Sequence, residues 1–329
     1  MIPSSLLVRS PNWLGDAVLS LPAVAGLKGW LGVRPLGVAA PKKLSALWHL
    51  CPFVDRVIEI DEPKNLWRTA NRLREEAFEA TLLLPNSPRS ALEARLAGIP
   101  TVWGREGWPR SLLLDPPRLQ GSPGGRQPRQ AAEYLALAEE IGASGSLTPP
   151  ELRIPPSWGH PREPVIAFCP GAEFGPAKRW PIESYVALAR RLREATGYPV
   201  RLYGAAGDRE VCRQIAFAVP GVESFAGQTT LEEFLCALAR SRLVVCNDSG
   251  AMHVAALLGV PVVALFGSTD PLRTGPLGKS TRILSHPVPC GPCFLRTCPK
   301  DMACLRRIDP EAVFSVCLQQ LALSAVKVS

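Results

Sequence analysis

The chain has 329 residues, 47% hydrophobic and 20% charged, with a formal net charge of +8. That length usually means two domains, and the composition excludes a disordered or fibrous chain. No apolar run reaches the ~18 residues needed to cross a bilayer, and the start MIPSSLLVRSPNW lacks the basic and long apolar regions of a signal peptide, so a cytoplasmic address is expected.

From 5 to 104 short apolar runs alternate with helical patterns. Strands are predicted at 5–9, 36–40, 57–60, 80–84 and 101–103, and helices at 14–30, 43–50, 65–77 and 87–96. This alternation predicts a parallel sheet with helices on both faces. An Arg-rich loop follows from Gly104 to Arg129, then a helix over 130–141. The stretch LTPPELRIPPSWGHPREP, 147–164, is too rich in proline for a helix or sheet interior and is the best linker candidate. Strands then resume at 165–168, 200–203, 222–225, 243–246, 262–266 and 281–284, with helices at 182–196, 209–218, 231–239 and 249–258. Two doubly wound halves facing a cleft are expected, and a last amphipathic helix ends the chain.

The positive balance favours an anionic partner, whether nucleotide, nucleic acid or acidic membrane. The stretch LVVCNDSGAMHVAALLGVPVVALFGSTD, 243–270, reads as strand, tight turn, helix, strand and loop. Its turn ends a strand and opens a helix, where free N–H groups and the helix dipole favour an anion. Gly250 lets backbone approach closely. Asp248 cannot favour phosphate by charge, so sugar hydroxyls suit it better. His253 sits within one turn of the same ligand position, or serves as a core histidine. An ordinary crossover with a good N-cap would look the same.

Two further loops follow first strands. In VRSPNWLGDAVLSLPAV, 8–24, Asp16 opens the first helix, where it could act as a general base or simply answer the dipole. In CPGAEFGPAKRWPIESY, 169–185, Lys178 stands just before a helix start, which suits a diphosphate. Lys64, Arg68 and Arg72 share one helix face, and Arg105 begins the Arg-rich loop; they could receive a phosphorylated acceptor or form a solvated surface. Cys290, Cys293, Cys298 and Cys304 are spaced C-x2-C-x4-C-x5-C. Such a cluster can bind structural zinc, with reduced thiols in a packed loop as the default. GPLGKS, 275–280, lacks the first glycine of a P-loop, since 273 is Arg, and no G-x-G-x-x-G follows the first strand.

SPNWLGDAVLSLPA, PGAEFGPAKRWP and NDSGAMHVAALLGVPVVALFGSTDP together resemble the signature blocks of the ADP-heptose:lipopolysaccharide heptosyltransferases. The segment PCGPCFLRTCPKDMACL resembles the cysteine-bearing segment of the second enzyme of that group. The blocks span nearly the whole chain in the family's order.

The resemblance implies a GT-B α/β fold of two Rossmann-like, doubly wound parallel-sheet domains. It implies an acceptor domain at 1–154, a nucleotide-sugar domain at 155–312, and a helix, 313–329, packing back on the first domain. It implies an inverting, metal-independent glycosyltransferase without cofactor. ADP-heptose is then the donor and a lipid-linked, phosphorylated inner core the acceptor, with peripheral contact at the cytoplasmic face of the inner membrane and no nucleic acid. By analogy Asp16 is the base and Lys178 steadies the departing diphosphate. Asp248, Ser249, Gly250, His253 and Thr269 bind the donor, and Lys64, Arg68, Arg72 and Arg105 meet the acceptor. A ribose-binding acid is expected at Asp208 or Glu210, and no metal is carried over to the cysteines. A GT-B transferase or epimerase using another nucleotide sugar, or a non-catalytic nucleotide-binding module, stays open.

Overall fold

Strands buried on both faces need apolar residues at nearly every position, and the inner strands Leu6–Arg9, Ala80–Leu83 and Val262–Phe266 are buried throughout. The computed structural model describes residues 2–60, 65–120, 129–158, 162–278 and 280–326. It divides into two units, Met1–Ile154 and Pro155–Ser329.

In the first unit the elements run β1 (Leu6–Arg9), α1 (Leu14–Leu31), β2 (Leu36–Pro41), α2 (Ser45–His49), β3 (Arg56–Ile60), α3 (Leu66–Glu75), β4 (Ala80–Leu83), α4 (Pro88–Leu96), β5 (Thr101–Gly104) and α5 (Gln130–Glu140). The sheet order is β3-β2-β1-β4-β5, all parallel, with Leu6 of β1 opposite Leu36 on one side and Ala80 on the other. Helix starts follow local chemistry. The Asn65 side chain accepts from Arg68 N–H to cap α3, and Ser87 accepts from Ser90 N–H to cap α4.

In the second unit they run β6 (Glu163–Cys169), α6 (Ile182–Thr196), β7 (Val200–Leu202), α7 (Arg209–Ala218), β8 (Glu223–Ser224), α8 (Leu231–Arg240), β9 (Ser241–Asn247), α9 (Gly250–Leu257), β10 (Val262–Phe266), α10 (Pro271–Thr274), β11 (Thr281–Ser285), α11 (Ala303–Arg306) and α12 (Pro310–Val326). The order is β11-β10-β9-β6-β7-β8, again parallel. Thr230 and Glu233 form a reciprocal capping box at α8. Thus the two Rossmann-like sheets expected from the alternation are present.

In the last helix Val313, Phe314 and Cys317 of α12 are buried in one cluster with Trp180, Tyr185 and Leu188 of the second unit. Arg191 of α6 reinforces this contact, with its guanidinium 4.7 Å from the Phe314 ring centre and 2.8 Å from Glu311 Oε1. The apolar face of α12 is satisfied by α6, which is why it belongs to that core.

Candidate functional site

In the second sheet the chain reverses direction of winding between β6 and β9, so the loops leaving their carboxyl ends diverge and open a crevice. Asp248 follows β9 there and is only 4% exposed. Its Oδ2 accepts from Lys178 Nζ at 2.7 Å, Thr269 Oγ1 at 2.5 Å and Thr274 Oγ1 at 3.2 Å. A buried carboxylate requires such donors. Ser249 is the N-cap residue of α9 and makes no side-chain capping bond, and Gly250 is the first helical residue. The first-turn N–H groups of a helix favour an anion, and the cation at this turn, Lys178, is paired with Asp248.

Lys178 ends a short 3-10 turn, Pro176–Lys178. Its Nζ lies 4.8 Å from the centre of the Phe174 ring, and Arg296 Cζ lies 5.4 Å from the same centre. The Arg296 carbonyl accepts from Ala177 N–H at 3.1 Å. Gly175 permits this approach: at φ 154° it has no Cβ, and one there would stand 2.3 Å from the Arg296 oxygen. Phe294 N–H also donates to Ser268 C=O at 2.8 Å. The cysteine-bearing segment therefore packs against the loop that carries Lys178.

Asn247 joins the loops. Its Oδ1 accepts from Trp180 N–H at 3.1 Å and Tyr185 O–H at 3.0 Å, and its Nδ2 donates to the Pro170 carbonyl at 2.7 Å and the Gly171 carbonyl at 3.3 Å. The residue is fully buried. Asn247→Ala would strand these groups, each costing about 1–3 kcal/mol. The expected result is a loss of at least about 3 kcal/mol, read as a fall in Tm of roughly 10 °C. A thermal scan showing a change under about 2 °C would mean that other groups hold the loop.

The first unit has its own reversal, between β1 and β4. Asp16 lies in the first turn of α1, following the loop that leaves β1, and is half-buried. Its Oδ1 accepts from Gln130 Nε2 at 2.7 Å. Tyr134, on the same helix as Gln130, has its phenol pushed up by burial and, to a lesser degree, by the Asp16 charge. Arg105 pairs with Glu133 at 3.2 Å. Arg110 is buried, and burial followed by the Arg105 charge lowers its guanidinium to about 10.

The other sequence candidates are placed as follows. His253 is buried within α9. Asp208 is 7% exposed and engaged, accepting from Ala205 N–H at 3.0 Å and pairing with Arg179 at 3.1 Å. Glu210 is exposed and held at about 2 by hydrogen bonds from Arg213 and Gln214. Arg68 is exposed on α3, and Arg72 on that helix pairs with Glu75 at 3.2 Å and Glu76 at 3.5 Å. Lys64 lies outside the described residues. Cys290 is exposed, and Cys293, Cys298 and Cys304 are half-buried. Among the described residues, no group of three or more His, Cys, Asp or Glu side chains is placed to hold a metal ion.

Sequence reasoning missed Asn247, Thr274 and Gln130. Asn247 left a signal, being a polar residue that closes an apolar strand immediately before Asp248. Thr274 and Gln130 left none.

The family model for glycosyltransferase family 9 (heptosyltransferase) matches residues 66–303. The chain is 35% identical over 309 residues to lipopolysaccharide heptosyltransferase 2 of Salmonella typhimurium, covering 85% of this chain and 87% of that one. It is 34% identical over 311 residues to the Escherichia coli K12 protein of the same name, with coverage of 85% and 87%. Among solved structures, the E. coli ADP-heptose LPS heptosyltransferase II superposes with a TM-score of 0.83 at 31% identity, covering 98% and 99% of the two chains. E. coli heptosyltransferase WaaC with ADP gives a TM-score of 0.73 at 20% identity over 96% and 99%, a likeness of fold alone.

Proposed function

The chain belongs to glycosyltransferase family 9, the heptosyltransferases, and from that premise we propose that it transfers L-glycero-D-manno-heptose from ADP-heptose to a heptose of the lipopolysaccharide inner core, as a heptosyltransferase II. The observation that carries this reading is the meeting of Lys178, Asp248, Thr269 and Thr274 at the amino end of α9.

In the proposed reaction Asp16 removes the proton from an acceptor hydroxyl as its oxygen bonds to the anomeric carbon of the donor. The bond from that carbon to the diphosphate breaks on the opposite face, inverting the centre, and ADP departs. Negative charge grows on the leaving diphosphate. Lys178 and the N–H groups at Ser249–Gly250 oppose that charge and so stabilise the transition state more than the ground state. Thr269 and Thr274 hold Asp248, which in turn holds Lys178. Lys64, Arg68, Arg72 and Arg105 are proposed to meet acidic groups of the acceptor, Arg72 and Arg105 by exchanging their glutamate partners. No helix among the described residues is long and apolar enough to cross a membrane. A lipid-linked acceptor would accordingly be met at the cytoplasmic membrane surface, by peripheral contact.

The test is direct. The protein is incubated with ADP-heptose and with truncated lipopolysaccharide carrying no heptose or one, and the products are weighed. Addition of a single heptose only to the core that already carries one is the expected result. Transfer only to the heptose-free core would reassign the acceptor, and no transfer from ADP-heptose would overturn the reading.

A further inference from the structure

Asp16 does not stand alone at the head of α1. Gln130 Nε2 donates to its Oδ1 at 2.7 Å from a residue 114 positions away. Gln130 is the first residue of α5, and α5 packs along α1. Four residues on, one helical turn away, Tyr134 senses the Asp16 charge and is tied to Gln130. Between them Glu133 holds Arg105 at 3.2 Å. The first turn of α5 is thus a polar wall built against the carboxylate, on a rigid helix rather than a loop.

We propose that Gln130 is a positioning residue for the transfer, its side-chain amide fixing the plane of the Asp16 carboxylate and favouring its ionised form. The inference rests on reading Asp16 as the base. The chemistry favours an amide here. An N–H donor stabilises a carboxylate and keeps it ready to accept a proton. A cation at the same distance would do so more strongly and reduce the basicity that the step requires. An acid in place of the amide would compete for the same proton. A neutral donor on a fixed helix orients the base with the smallest loss of its strength.

The sign of the effect is fixed. Transfer rises with pH as Asp16 loses its proton, so its ionisation sets the acid limb of the kcat profile. Removing a donor to the anion raises that pKa and moves the limb to higher pH. For Gln130→Met, similar in length and without N–H groups, the expected shift is about one pH unit. The plateau kcat should fall roughly tenfold, with the KM for ADP-heptose unchanged. Gln130→Glu should move the limb further, because two carboxylates within hydrogen-bond reach share one proton. Thermal scans of both variants exclude loss of fold as the cause.

An acid limb unmoved in both variants, with transfer still dependent on Asp16, would overturn this inference alone. Full transfer by Asp16→Asn would overturn the base assignment and the inference together. A purely structural Gln130 would lower Tm without displacing the pH profile.

Discussion

Asp16→Ala is expected to lower the rate of heptose transfer by ~10²–10⁴-fold, the range for loss of a positioned general base. ADP affinity should stay within about twofold, because the groups proposed to hold ADP all belong to the second unit. That rate loss corresponds to roughly 3–5 kcal/mol of transition-state stabilisation. A structural account offers much less. Asp16 is the acid in the first turn of α1, where Trp13 supplies no side-chain cap. An acid there contributes about 0.3–1 kcal/mol through the helix dipole, and the bond from Gln130 adds about 1 kcal/mol. Its loss lowers Tm by a few degrees at most, so the folded fraction stays near one. Asp16→Asn keeps the shape and the acceptor oxygen for Gln130 but cannot take a proton, so it should be nearly as slow. The measurement is single-turnover transfer alongside ADP titration. Unchanged transfer in either variant would remove Asp16 as the base.

The fold was legible because the inner strands of a parallel sheet covered by helices must be apolar on both faces. Val262–Phe266 is buried at every position, and its sequence, VVALF, says so. Helix starts were legible where a side chain caps them, as at Ser87 and at Thr230 with Glu233. Asp16, Lys178 and Asp248 were conspicuous for a related reason. Each follows a predicted strand, at the sheet edge where α/β folds place their loops.

What escaped was pairing over distance. Lys178 and Asp248 are 70 residues apart, and nothing in either stretch names the other. The sequence assigned Asp248 to sugar hydroxyls and Lys178 to a diphosphate, whereas in the structure they bind each other. Arg296 and Ala177 meet only because Gly175 lacks a side chain. The Arg72 pairs with Glu75 and Glu76 were within reach of the i+3 and i+4 rule.

Lys178→Ala is expected to slow transfer by ~10²–10³-fold, the range for losing one preorganised contact to developing negative charge. It should also weaken ADP binding. The complication is that Lys178 has a second task. Its Nζ is 2.7 Å from Asp248 Oδ2, with the two side chains only 12% and 4% exposed. Removing one partner of a buried pair leaves an uncompensated charge and costs about 3–5 kcal/mol. Thr269 and Thr274 still donate to that oxygen and reduce the cost. A slow and unstable Lys178→Ala would therefore not distinguish a contact to the substrate from support of the loop. The double replacement Lys178→Ala with Asp248→Asn separates them. It removes both charges, and the amide oxygen introduced by Asp248→Asn can still accept from the threonine hydroxyls. Stability should return to within about 1 kcal/mol of the parent, since deleting both partners of a buried pair is often neutral. Transfer should remain slow, because no cation then faces the departing diphosphate. Tm and kcat, measured on both singles and the double, close the cycle. Recovery of rate together with stability would make Lys178 a structural partner of Asp248 and leave the diphosphate to the N–H groups of α9 alone.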